Sequence, residues 1–141
     1  MQAKITALTE SFAVASQIGA DDIPLIAAAG YRVLINNRPD GEQEGQLNSH
    51  DARQQAENAG MEYHYLPITA ATLTLAQVEQ FERLLAGAEG PVLAHCRSGT
   101  RCCLLWSITE LRKGAGDTEG LIRRGADQGF SILELARFAP G

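Results

Sequence analysis

The 141-residue chain reads as one α/β domain over 1–141, with a mainly parallel central sheet flanked by helices. Three observations predict this. Short apolar runs suited to buried strands alternate with segments of helical periodicity, and single glycines stand where those helices would end. The run Pro91 to His95, P-V-L-A-H, is apolar enough to be covered on both faces, as a central parallel strand must be.

The elements follow in order. Phe12 to Ala15 is a first short strand. A helix comes next, with Asp21 as cap, Pro24 in its first turn and Gly30 as its stop. Tyr31 to Asn36 is a strand. The polar run Asn37 to Asn48, with Pro39, Asp40, Gly41 and Gly45, is a long loop of the kind that carries function in small domains. Ser49 or Asn48 caps a helix ending before Gly60, and Glu62 to Ile68 is extended. Thr74 then opens a helix with Gln77 at capping-box spacing. After Pro91 to His95 and the loop Cys96 to Thr100, the residues Cys103, Leu104, Ser107, Ile108 and Leu111 recur at helical spacing up to Gly114. Helices are expected over Asp117 to about Gln128 and from Ser131, where Glu134 again completes a capping-box spacing.

Composition narrows the function classes. Hydrophobic residues at 45% and charged residues at 21% fit an ordinary globular chain. No apolar stretch approaches a membrane span, and Met1 to Gly19 lacks a basic start followed by an apolar run, so no membrane association or export is expected. Cys96, Cys102 and Cys103 form no paired framework, and the expectation is a reduced, cytoplasmic protein without a metal or other cofactor. A net charge of −5 argues against a nucleic-acid surface. Its distribution is uneven: residues 1–90 carry 5 basic and 12 acidic side chains, residues 91–141 carry 7 and 5. A positive carboxy-terminal third suits a local anion site or, equally, a solvated helix face.

In a parallel α/β sheet, ligands collect beyond the carboxyl ends of the strands. There the chain carries His95-Cys96-Arg97-Ser98-Gly99-Thr100-Arg101. A thiol at the end of a buried strand, a small glycine-containing loop and an arginine at a helix start make an anion cradle. Loop N–H groups converge, the helix terminus adds positive potential, and Arg101 offers a planar fork. The same field favours the thiolate of Cys96, the nucleophilic form. Gly99 supplies a positive φ, while Ser98 and Thr100 are small enough for the turn. Cys96 and Arg101 are therefore the candidate catalytic residues, with His95, Arg97, Ser98, Gly99 and Thr100 around the bound group, which is phosphate or another small anion.

H-C-R-S-G-T-R resembles the signature of cysteine-dependent phosphatases, in which a histidine-cysteine pair precedes a glycine-containing loop and an arginine. Cys96 and Arg101 enclose four residues, where tyrosine and dual-specificity phosphatases usually have five. Four also characterises many rhodanese sulfurtransferases, which carry a persulfide, but the upstream G-H-I-x-G-A of rhodaneses is missing. Gly30 to Glu42, G-Y-R-V-L-I-N-N-R-P-D-G-E, and Ala59 to Ile68, A-G-M-E-Y-H-Y-L-P-I, together with P-V-L-A-H-C-R-S-G-T-R, resemble the bacterial beta-lactamase-hydrolase-like domain, a family similar in fold to dual-specificity phosphatases.

That resemblance implies attack by Cys96 on phosphorus, a cysteinyl-phosphate, stabilisation by Arg101 and the loop amides, and hydrolysis without a metal. In similar phosphatases an aspartate after the third strand protonates the leaving oxygen. Pro67 to Leu75, P-I-T-A-A-T-L-T-L, has no carboxylate, so Asp40, with Glu42 beside it, is the substitute expected. His95 is expected to orient the loop; His64 and His50 read as packing and surface residues. Cys102 stands where such phosphatases often hold Ser or Thr, and either it or Cys103 could resolve an oxidised Cys96. Core packing suits Cys103 and Trp106. Two alternatives stand beside a phosphatase acting on phosphotyrosine or aryl phosphates: a sulfurtransferase forming a persulfide on Cys96, and a non-catalytic anion-binding or interaction module.

Overall fold

A computed structural model describes residues 1–139; the last two positions of the expected domain, 140 and 141, lie outside the described residues. The strands are β1 (Ile5–Ala7), β2 (Phe12–Ala15), β3 (Val33–Asn36), β4 (Glu62–Tyr65) and β5 (Val92–His95). The helices are α1 (Asp22–Ala28), α2 (Ser49–Asn58), α3 (Leu75–Ala86), α4 (Thr100–Arg112) and α5 (Thr118–Asp127), with 3-10 turns at Ala70–Thr72 and Leu133–Phe138. The sheet order is β1-β2-β5-β3-β4, parallel except for the antiparallel β1–β2 pair.

Side chains alternate across the pleat and divide the core into two layers. Phe12, Val14, Val33, Ile35, Val92 and Ala94 face the layer that holds α4 and Phe81 of α3. Leu34, Leu93 and Ala15 face Ile23, Ile26, Ala52 and Ala56 of α1 and α2. Helix α4 is buried from Cys102 to Thr109, because α3, α5 and the last 3-10 turn all pack on it beside the sheet. Trp106 stacks on Phe12 with ring centroids 6.2 Å apart, the packing role expected of it.

Three expectations about local structure need correction. β1 precedes the strand taken as the first; with Ile5 and Thr6 half-buried and Ala7 exposed at the sheet edge, it has no strong apolar pattern. Asp21 sits at the start of α1 but caps nothing. Asp22, 3% exposed, accepts instead from the N–H groups of Gly19, Gln2 and Ala3, tying the amino terminus to the helix. The capping box expected at Ser131 and Glu134 does not form: Ile132 is buried and the chain turns only as a 3-10 helix from Leu133. The box of Thr74 and Gln77 and the Asn48 cap on Asp51 N–H form as expected.

Candidate active site

Register places the site. Ala15 of β2 and Asn36 of β3 both lie opposite His95 of β5, so the loops leaving these strands emerge side by side at one sheet edge. Gln17 N–H donates to Arg97 O at 3.0 Å, and Asn37 N–H donates to His95 O at 2.8 Å. Two neighbouring loops thereby pin the cysteine loop at its beginning.

Cys96 is 1% exposed, and its Sγ accepts the Gly99 N–H at 3.1 Å. Gly99 takes φ +97°, and a Cβ there would stand 3.0 and 3.2 Å from the Phe130 ring, so both backbone and space require glycine. Ser98 Oγ accepts the Thr100 N–H and donates to Thr100 Oγ1, holding the first turn of α4 from outside. The Cys96 thiol is drawn down to about 6. The Cys102 side chain, donating S–H to Sγ, acts most strongly; burial opposes it, and backbone N–H groups of Cys102, Gly99 and Arg101 reinforce it. Cys102 is fully buried and its own thiol is pushed well up, so it remains the protonated donor. The Cys103 thiol is pushed up to about 11, chiefly by burial.

Arg101 is gripped by a carboxylate. Its Nη1 and Nη2 donate to Glu42 Oε2 and Oε1 at 3.0 and 2.7 Å, and Nη1 also donates to Ile68 O at 3.1 Å. A guanidinium has five N–H donors, so the Nε–H and the remaining Nη2–H survive as a parallel pair on the other edge, the geometry that receives two oxygens of one anion. Glu42 accepts as well from Arg38 Nε at 2.8 Å. Arg38 is 2% exposed, and its other nitrogens reach Gln17 Oε1 and Gln43 Oε1 at 3.2 and 3.5 Å. The hydrogen bond from Arg101, backed by Arg38, holds the Glu42 carboxyl at about 2 despite partial burial.

The structure thus brings Cys96, Ser98, Gly99, Thr100 and Arg101 together, with Arg97 exposed at the rim. It does not bring Asp40 to them: both its carboxylate oxygens accept from Ser49, N–H at 2.9 Å and Oγ–H at 2.6 Å, and its own N–H donates to Tyr65 Oη. Asp40 closes the long loop onto α2, and Glu42 is the carboxylate that joins the cysteine loop. His95 is buried, finds no side-chain partner among the described residues, and is kept neutral by burial, which lowers it to about 4. It is a packed neighbour of the loop rather than a donor to its far side. Arg38 and Gln17 were missed by sequence reasoning, the only signal for the first being its i, i+4 spacing to Glu42; Cys102 had been singled out by its position after the loop arginine.

A five-stranded sheet, a cysteine directly after its central strand and an arginine in the first turn of the following helix define the tyrosine and dual-specificity phosphatase fold. Pseudomonas aeruginosa TpbA, crystallised in a cysteine-to-serine form with phosphotyrosine, superposes with a TM-score of 0.72 at 19% identity, covering 95% of this chain and 78% of that one. A Neisseria meningitidis protein provisionally named a phosphatase aligns with a TM-score of 0.84 at 36% identity over 94% of both chains. Residues 4–112 match the model of the phosphatase-like domain of beta-lactamase hydrolase-like proteins, and the chain belongs to that family. The beta-lactamase hydrolase-like protein of Agrobacterium fabrum is 34% identical over 96% of this chain, which covers 31% of its length. The chain therefore spans about a third of the curated relatives it matches. No described helix is long and apolar enough to cross a membrane.

Proposed function

We propose that the domain hydrolyses phosphate monoesters through a cysteinyl-phosphate on Cys96. One observation carries the reading: the sulfur rests at the amino end of α4, accepting the Gly99 N–H, while Arg101 keeps one donor edge free of Glu42. The thiolate attacks phosphorus, the P–O bond to the leaving group breaks, and the Arg101 edge with the loop N–H groups takes the charge of the non-bridging oxygens. Water then attacks the phosphorus, the S–P bond breaks, and Cys102 returns its hydrogen bond to the departing thiolate.

Glu42 is held ionised by two arginines and has no proton to give near neutrality. Asp40 is engaged by Ser49 and serves in this reading to hold the loop. The leaving oxygen then takes its proton from solvent, which confines efficient turnover to good leaving groups such as aryl phosphates, phosphotyrosine among them.

The test is a paired assay on wild type and Cys96→Ser: hydrolysis of p-nitrophenyl phosphate against thiosulfate-to-cyanide sulfur transfer. Cys96-dependent phosphate release is expected. Sulfur transfer alone would replace this reading with a persulfide carrier, and phosphate protection against heating without turnover in either assay would replace it with an anion-binding module.

A further inference from the structure

Beside Arg101 lies a cleft of about 480 Å³ lined by Arg38, Glu42, Gln43, Arg97 and Arg101. Its walls are three guanidiniums, one carboxylate and one amide; none of the five is aromatic. The ion pairs inside it are Arg38–Glu42 and Arg101–Glu42. Glu42 serves both, and Arg97 has no ion pair among the described residues. Its main chain is nonetheless fixed, because Arg97 O accepts from Gln17 N–H at 3.0 Å while Gln17 Oε1 accepts from Arg38 Nη1. A cation with no ion pair among the described residues is thus held on a pinned loop and lines the same cleft as the arginine assigned to the scissile phosphate.

We propose that the substrate is a small phosphate monoester bearing a second anionic group, carboxylate or phosphoryl, which Arg97 receives while Arg101 and the cysteine loop hold the reacting phosphate. This rests on the phosphatase reading of Cys96. Position, not net charge, favours it over a neutral organic body: Arg38 and Arg101 share Glu42, the reacting phosphate is assigned to Arg101 and the cysteine loop, and an ester with no second anion would leave Arg97, which lines the same cleft, without a partner among the described residues.

The experiment compares phenyl phosphate, 3-carboxyphenyl phosphate and resorcinol bisphosphate, which differ mainly in the second group. Wild type and Arg97→Gln are assayed for kcat/KM, and binding of the same three compounds to Cys96→Ser and to Cys96→Ser/Arg97→Gln is followed by calorimetry. Either doubly anionic ester is expected to be preferred about three- to ten-fold over phenyl phosphate, the range of one charge-assisted pair at a partly exposed site. The ratio should fall toward one in Arg97→Gln and shrink with added KCl. A preference for the carboxylate ester alone or for the bisphosphate alone identifies which second group is read. Equal use of the three esters, a ratio unmoved by Arg97→Gln, or faster hydrolysis of N-acetyl-phosphotyrosine amide, which has no second anion, than of either doubly anionic ester overturns the proposal while leaving the phosphatase reading intact. Arg97-dependent binding preference without any turnover sustains the recognition and overturns the hydrolysis.

Discussion

Glu42 takes the Nη1 and Nη2 edge of Arg101 at 3.0 and 2.7 Å and leaves the Nε edge free. A side chain fixed at one edge has little rotamer entropy left to lose when its other edge meets an anion, so the carboxylate prepares the arginine for binding rather than competing with the ligand.

Replacing Glu42 with Gln should therefore weaken both fold and site. Arg38 is buried and would lose its only charged partner among the described residues, a loss of about 2 kcal/mol at neutral pH. Thermal melting should show a lower midpoint, and phosphate affinity should fall with it. Because the folded carboxyl lies at about 2 against an ordinary 4.5, its contribution is present in full above pH 4.5 and is lost as the pH falls through about 2. Wild-type stability should decline over that window, and the variant's should decline less.

Cys102 is the side chain that draws the Cys96 thiol down most strongly, so its removal should slow the reactions of Cys96 near neutrality. Iodoacetamide modification of Cys96, followed by mass spectrometry against pH, should show a midpoint near 6. Cys102→Ala removes the S–H donor and should raise that midpoint by about one unit, whereas Cys102→Ser keeps a donor and should hold it close to wild type. An unchanged midpoint in Cys102→Ala would assign the activation to the loop amides alone.

Gly99→Ala should cost about 1–3 kcal/mol, since it places a side chain at φ +97° and drives it into Phe130. Adding Phe130→Leu should recover the steric part and not the backbone part. Denaturant midpoints of the two variants separate the contributions, and slower alkylation of Cys96 in both would show the loop N–H displaced from the sulfur.

Asp40→Asn tests the source of the proton. With Asp40 holding Ser49, kcat on p-nitrophenyl phosphate should fall less than about three-fold, and wild-type rates should depend steeply on leaving-group acidity. Loss of about 10²-fold or more, confined to poor leaving groups, would make Asp40 the acid.

The parallel sheet, the buried strand before Cys96 and the helix after Gly99 were legible because each announces itself within a few residues, through apolar runs, capping spacings and a glycine where the chain must curl. Ile5–Ala7 was not, being an edge strand with one exposed face and little apolar content. Ser131 and Glu134 had the spacing of a cap without the structure of one, because burial of Ile132 set the local path first.

Local sequence determined that a cysteine, a small loop and an arginine would meet at the end of a strand, since neighbours in the chain cannot be far apart in space. Only tertiary structure decided which distant groups would complete them. The choice of Glu42 over Asp40 as partner of the cysteine loop follows from how the loop after β3 closes on Ser49 and Tyr65. The burial of Arg38 follows from three loops converging at one sheet edge. Charges in a confined space act over distances set by packing, and packing depends on strand register, which no single segment carries.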